Sequence, residues 1–512
     1  MVRTVATAGR REWLGLAVLV LPVLLVSVTV TVLYFALPFL SADLMPTGSQ
    51  LLWIVDIYAF LLAGLLITMG ALGDRIGRRK LLLIGAAAFG ITSVIAAYAP
   101  NAESLIAARA LQGAAAASLM PPTLALIRDM FRDPRQRRMA VAVWAAGFAG
   151  GSVLGPIVGG RLLEHLWWGS VFLINVPIMV LLLALGPIVL PEYRDPRPWR
   201  FDLLSAALSL GAVLPTVYGI KQFAVDGPGL QALLGVVAGS VFCVAFLHRQ
   251  RTLPTPMLDL RLFAGRCFTV SLIASTLAVF ALVGLFYFVA QYLQMVLGLR
   301  PFVAGLLTLP AAGTALAGSM LAAVIAQRVR PGHIMGGGMM LVAGGFLVMS
   351  GIEVDSERWP FIGGLLLLGT GIGAVQATAS DMIVAVAPPE RAGSASAIME
   401  AATELGGALG VAILGSIGLA VYGERLTATG PALPPEYAEA ARETLGGAVG
   451  VAARIPGEAG AALLDVARSA FTDGMHLAAL LGAACTALTA LLTVVLLRPV
   501  RVDTSTADGG AE

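Results

Sequence analysis

Apolar runs of about twenty residues, separated by short polar connections, recur along the whole chain. They fall near 14–40, 51–72, 81–99, 103–126, 139–160, 170–190, 203–220 and 229–247, then near 268–296, 303–326, 333–351, 359–386, 394–421 and 475–497. Each is long enough to cross the roughly 30 Å hydrocarbon core of a bilayer as a helix. The pattern predicts an all-α integral membrane protein of 14 transmembrane helices.

The connections are sorted by charge. If the N-terminus is cytoplasmic, one side collects Arg75, Arg78, Arg79, Lys80, Arg128, Arg132, Arg135, Arg137 and Arg138. The same side continues with Arg194, Arg197, Arg200, Arg249, Arg251, Arg261, Arg266, Arg328, Arg330, Arg391, Arg498 and Arg501. The other side holds Arg161, Lys221, Arg300 and Arg358, plus the arginines of one long loop. Positive charge stays inside, so both termini are expected in the cytoplasm, which requires an even number of spans.

Composition extends the membrane reading to the full length. Hydrophobic residues make up 58% and charged residues 12%, with mean hydropathy +0.88, against about 25% charged in soluble domains. The first apolar run reaches Leu40, too long for a cleaved signal, and is expected to be retained. A net charge of +3 gives no reason to expect nucleic acid. Cys243, Cys267 and Cys485 lie in apolar runs without metal spacing, and the four histidines are scattered. With no phosphate-binding GxxxxGK[ST] loop and no nucleophile–base constellation, neither an enzyme nor a cofactor is implied. Basic residues are nearly all Arg, with abundant Ala and Gly, a composition that suggests a GC-rich bacterial genome and hence a bacterial plasma membrane as the location.

An internal repeat organises the spans. Pro134–Gly155 aligns without gaps on Pro389–Gly410, sharing among others Ala146/Ala401, Gly151/Gly406 and Gly155/Gly410; the same offset places Arg75 and Gly77 on Arg330 and Gly332. Two six-helix bundles follow, at 1–200 and 253–502, with two inserted central helices at 201–252. A loop at about 422–472 holds two Ala-rich stretches, Pro435–Ile455 and Pro456–Phe471, that begin at Pro with acids nearby and predict an extracellular helical hairpin. The polar tail 503–512 is expected to be disordered.

Several motifs now converge. Gly70–Lys80 (GALGDRIGRRK) resembles the signature after helix 2 of the major facilitator superfamily, and Leu105–Ala117 (LIAARALQGAAAA) resembles its helix 4 motif. Gly151–Gly160 (GSVLGPIVGG) resembles the helix 5 motif of the drug/proton antiporters. LLWIVDIY, FLINVP and PMLDLRLF are similar to the 14-helix quaternary-ammonium and dye efflux pumps. The resemblance implies proton-coupled multidrug efflux: small lipophilic, cationic drugs as substrate, protons and membrane lipid as the other partners, and a monomer. It also implies a hinge or seal at Gly151, Gly155, Pro156, Gly159 and Gly160, where missing side chains let another helix approach and proline bends the helix.

Four intramembrane charges are candidates for proton coupling and substrate binding. Arg109 enters the fourth span and Asp56 the second from the same side at similar depth, which predicts a pair. In the pumps this chain resembles, helix 1 carries an acid where Ser27 stands here, so a coupling site is missing from the first bundle. Glu400 and Glu404, one turn apart on helix 13, are expected to compensate, because two carboxylates at low dielectric cannot both ionise cheaply and a cation or a proton can relieve them. Asp74, Arg75 and Arg78 are expected to clasp the start of helix 13 as a gate. Two other readings remain: a dedicated exporter of one anionic or neutral metabolite or antibiotic, favoured by the loss of the helix 1 acid, and a non-transporting membrane sensor.

Overall fold

The computed structural model describes residues 8–194, 202–253, 256–354, 358–387, 392–431, 433–455 and 457–498. Arg197, Arg200, Pro389, Arg391, Pro456, Arg501 and the tail from residue 503 lie outside the described residues. Fourteen helices are long and apolar enough to cross a membrane. They are α1 (Arg10–Leu44), α2 (Gly48–Ile76), α3 (Arg78–Ala97), α4 (Ala102–Met130), α5 (Pro134–His165), α6 (Ser170–Val189), α7 (Leu203–Asp226) and α8 (Leu230–Thr252). After them come α9 (Arg266–Val296), α10 (Pro301–Ile325), α11 (Pro331–Met349), α12 (Arg358–Val386) and α13 (Ser394–Thr429). Two short helices, α14 (Pro435–Glu443) and α15 (Leu445–Ala452), precede the last span, α16 (Glu458–Leu496).

Local sequence sets the helix ends. Thr47 caps α2 by accepting from the Gln50 amide at 3.2 Å, while Gln50 accepts from the Thr47 amide at 2.9 Å. Asp133 caps α5, with Pro134 at its first position. Gly77, at φ +114°, lets α2 turn directly into α3. Helix α4 breaks its regular pattern at Ser118–Leu119, just before Pro121 and Pro122.

Helix pairing reveals two matching bundles. In the first, α1 packs on α5, α2 on α4 and α3 on α6; in the second, α9 packs on α13, α10 on α12 and α11 on α16. The bundles meet along two reciprocal seams, α5–α10 and α2–α13. The repeated glycines occupy equivalent contacts. A Cβ at Gly151 would overlap the Leu24 carbonyl of α1, and one at Gly406 would meet the Thr276 carbonyl of α9. Helices α7 and α8 pair with each other, and α7 also packs on α2 and α13, so the inserted hairpin lies against the α2–α13 seam.

The long loop differs from expectation in one respect. Residues 458–471 are not the second arm of a hairpin but the first turns of α16, and α13 likewise extends to Thr429. Its apolar positions, Leu463, Ala467, Ala470 and Phe471, are buried, which continues the helix instead of ending it. Between these extensions α14 and α15 form a small cap. Tyr422 donates to the carbonyls of Ala441 at 2.7 Å and Thr444 at 3.2 Å, Glu443 accepts from the Gly48 amide at 2.7 Å, and Gly446 sits on Ser41 of α1.

Candidate functional site: a one-sided cavity above a buried charge network

On the face that carries the basic connections the bundles part around a cavity of about 320 Å³. Its walls are mostly apolar, from Leu66 and Ile67 of α2, Met120 and Leu124 of α4 and Trp144 of α5. Glu400 of α13 lines it, with Ser394, Ser396 and Ala397 below. Thr403 turns its hydroxyl to the Glu400 backbone carbonyl at 2.9 Å, not to a carboxylate. Among the described residues no hydrogen bond or ion pair engages the carboxylate of Glu400 or Glu404. Glu404, one turn deeper, lies within electrostatic reach of Tyr34 on α1 and Tyr58 on α2. An acid in an apolar cavity open on one side can receive an organic cation or a proton, and the two compete.

The opposite face is closed. Gly160 meets the Phe302 backbone, a Cβ at Gly305 would overlap the Pro156 carbonyl, and Gln294 of α9 donates to the Phe35 carbonyl of α1 at 3.2 Å. Within the first bundle, Gly155 and Gly159 take Thr31 and Val32 of α1 against their bare faces. The glycine motif thus faces α1 on one side and α10 on the other, and Pro156 sits inside the helix where the two contacts meet.

Arg109 and Asp56 do not pair; the expectation is corrected. Arg109 is buried and donates to the Ile54 carbonyl at 3.2 Å and to Gln112 at 2.7 Å, with its guanidinium 4.3 Å from the centre of the Tyr58 ring. Gly113 permits this approach, since a Cβ there would overlap the Tyr58 carbonyl. From Gln112 the network runs to Ser93 at 2.8 Å, from Ser93 to Asn175 at 3.2 Å and from Asn175 to Thr29 at 3.1 Å. Backbone and amide acceptors with an aromatic face replace the carboxylate that the arginine was expected to need.

Asp56 instead binds Lys221 of α7, whose ammonium lies 2.9 and 3.1 Å from its two carboxylate oxygens. Lys221 is no connection residue. Helix α7 runs on to Asp226, and the turn comes at Gly227-Pro228-Gly229. The DGPG stretch marks this turn in the sequence and sets Lys221 within the helix, not in the connection where the apolar run near 203–220 leaves it. Ser27 faces Ser152 of α5 at 2.7 Å, two hydroxyls satisfying each other.

The stretch 388–391, where the expected clasp would meet the start of helix 13, lies outside the described residues. Arg78 binds Asp74 at 2.8 Å and Asp129 of α4 at 2.6 Å, both within the first bundle. Asp74 lines the cavity mouth, opposite Ser394 and Ser396 at the start of α13. Arg75 makes no ion pair among the described residues.

The family model described as Major Facilitator Superfamily matches residues 19–411. The chain is 46% identical over 474 residues to the multidrug efflux pump LfrA of Mycolicibacterium smegmatis, covering 92% of this chain and 94% of that protein. It is 37% identical over 462 residues to the methyl viologen resistance protein SmvA of Salmonella typhimurium, covering 90% and 93%. Among solved structures it is similar to a bacterial homologue of the human lysosomal transporter Spinster in an inward-facing, unoccupied conformation, with TM-score 0.68 at 18% identity, covering 96% and 98%. Paired bundles, two reciprocal seams and a cavity open on one face agree with these likenesses, and the chain belongs to the Major Facilitator Superfamily.

Proposed function

We propose that the protein exports lipophilic cations from the bacterial cytoplasm in exchange for protons, by alternating access. The observation that carries this reading is the apolar cavity lined by Glu400, whose carboxylate no side chain among the described residues neutralises. The relatives support it: one is named a multidrug efflux pump, another for resistance to methyl viologen, an organic dication. Positive-inside bias puts the basic face and both termini in the cytoplasm of the plasma membrane. The structure is then the inward-open state, ready to load. A cation entering from the cytoplasm pairs with ionised Glu400 while its apolar body packs on Trp144 and Met120. When the cavity faces outward, protonation of the carboxylates releases it. Differential affinity in the two states is what drives such a cycle. The transporter works as a monomer surrounded by lipid, with the route between the bundles.

The test is efflux of a cationic dye from a host lacking its own pumps, with wild type compared with Glu400→Gln and Glu404→Gln. Wild-type efflux should stop when a protonophore collapses the gradient, and both variants should export at least about tenfold more slowly, the loss of one charge–charge contact at low dielectric. Efflux that survives the protonophore rejects antiport. Efflux intact in both variants rejects the assignment of these carboxylates.

A further inference from the structure

Asp56 and Lys221 form the most deeply buried ion pair among the described residues, with side chains 0% and 1% exposed. Stability alone does not explain it, because a buried pair can often be replaced by apolar residues without loss. The environment of the ammonium is more informative. Besides the two carboxylate oxygens it lies 3.8 Å from the centre of the Trp53 ring. A carboxylate and an indole face are what an organic ammonium binds to. Asp56 and Trp53 sit three residues apart on one face of α2, so the first bundle supplies the whole site. The cation comes from outside both bundles, on the inserted hairpin.

The location gives the pair a direction. Asp56 lies eight residues from the closed-face end of α2, about 12 Å into the membrane, on the far side of the Glu400 cavity. Lys221 reaches it beside the α2–α13 seam, where Val217, one turn earlier on α7, packs with Phe60 of α2 and Ala408 and Ala412 of α13. Tyr34 of α1 and Tyr287 of α9 are the other titratable groups within electrostatic reach of Asp56. These elements meet where the bundles must part for the far face to open.

We propose that Asp56 and Trp53 form an organic-cation subsite that Lys221 occupies, as a tethered cation, while the far face is closed. Resting on the efflux reading above, the inference adds a second station to the route. A cation loaded at Glu400 takes the lysine's place when the α2–α13 seam opens. The returning lysine expels it outward and bars re-entry. The inserted hairpin then serves as the carrier of a competitor that keeps the exit site from standing empty.

Binding of tetraphenylphosphonium to the purified full-length chain, measured by isothermal titration calorimetry in detergent, tests this. Lys221→Met removes the competitor and is expected to bind at least about tenfold more tightly than wild type, equivalent to about 1.4 kcal/mol. Lys221→Arg keeps the cation and should match wild type. Adding Asp56→Asn to Lys221→Met should abolish the gain. Wild-type affinity in monodisperse Lys221→Met overturns the proposal, and so does a gain that survives Asp56→Asn. If Lys221→Met does not yield monodisperse protein, Lys221→Gln replaces it with the same two outcomes. The comparison reads binding differences between variants, whereas the efflux reading stands or falls on protonophore sensitivity in cells, so either can fail alone.

Discussion

Glu164 of α5 and Arg300 at the start of α10 join the two bundles at the rim of the closed face, 3.4 Å apart, with the carboxylate 8% and the guanidinium 76% exposed. Arg161, one turn back on α5, approaches the same carboxylate at 3.6 Å. A pair with one member in water contributes about 0.2–1 kcal/mol. Glu164→Gln is therefore expected to raise the population open on this face by up to about fivefold. Thiol labelling of a cysteine introduced at Phe302, which is covered by Gly160 when the face is closed, measures it. Unchanged labelling would mean that helix contacts alone hold the rim.

The two sides of the α5 motif can be separated by mutation. Gly155→Val drives a side chain into Thr31 and the Val28 carbonyl within the first bundle. Overpacking of this kind costs about 1–3 kcal/mol and should lower the thermal unfolding midpoint. Gly305→Val meets the Pro156 carbonyl across the seam between bundles. It should leave the unfolding midpoint closer to wild type while increasing the same Phe302 labelling. If both variants unfold alike and label alike, the seam and the bundle interior are not independent.

Arg109→Lys preserves charge but not shape. One ammonium cannot reach the Ile54 carbonyl and Gln112 while lying flat on Tyr58, as the guanidinium does. The loss of a charged hydrogen bond predicts about 1.5–3 kcal/mol of destabilisation and export at least about tenfold below wild type. Thermal unfolding in detergent and dye efflux in cells report the two effects. Wild-type stability in Arg109→Lys would show that the network tolerates a point charge.

Asp202 sets an acid limit at the cavity mouth. Burial works against its ionisation, yet hydrogen bonds from the Arg249 guanidinium and from Ser205, with the Arg249 charge, outweigh it and hold the carboxyl below the ordinary aspartate range. A group whose pKa is depressed by folding stabilises the protein above its unfolded pKa, and the contribution is lost as pH falls through the folded value. The unfolding midpoint of wild type should drop on acidification below about pH 4, and Asp202→Asn should flatten that part of the profile. The pair is partly exposed, so the difference will be small and sensitive to salt. An identical acid slope in Asp202→Asn would remove the pair from the account.

Features that depend on residues close in sequence are legible in the sequence itself. The apolar runs yield the fourteen spans, because a membrane helix satisfies its own backbone within one continuous segment. The repeat at Gly151/Gly406 marks equivalent close contacts in the two bundles, since only a bare helix face admits a neighbouring backbone. Glu400 could be picked out as an intramembrane acid on helix 13, and it does line the cavity. Pairing was not legible in the same way. Depth along the membrane placed Arg109 and Asp56 level with each other, but depth says nothing about which helix faces which.

That choice was made by the tertiary structure. Packing sets α7 beside α2 and the α2–α13 seam, bringing Lys221 to Asp56 from 165 residues away. It also leaves Arg109 to a backbone carbonyl, an amide and an aromatic face. Whether the chain crosses the membrane, how often, and where the basic connections gather follow from each segment's own transfer energy and charge. Which buried charges meet, and which face is open, depend on how fourteen separately stable helices are arranged around one another, and no single segment carries that information.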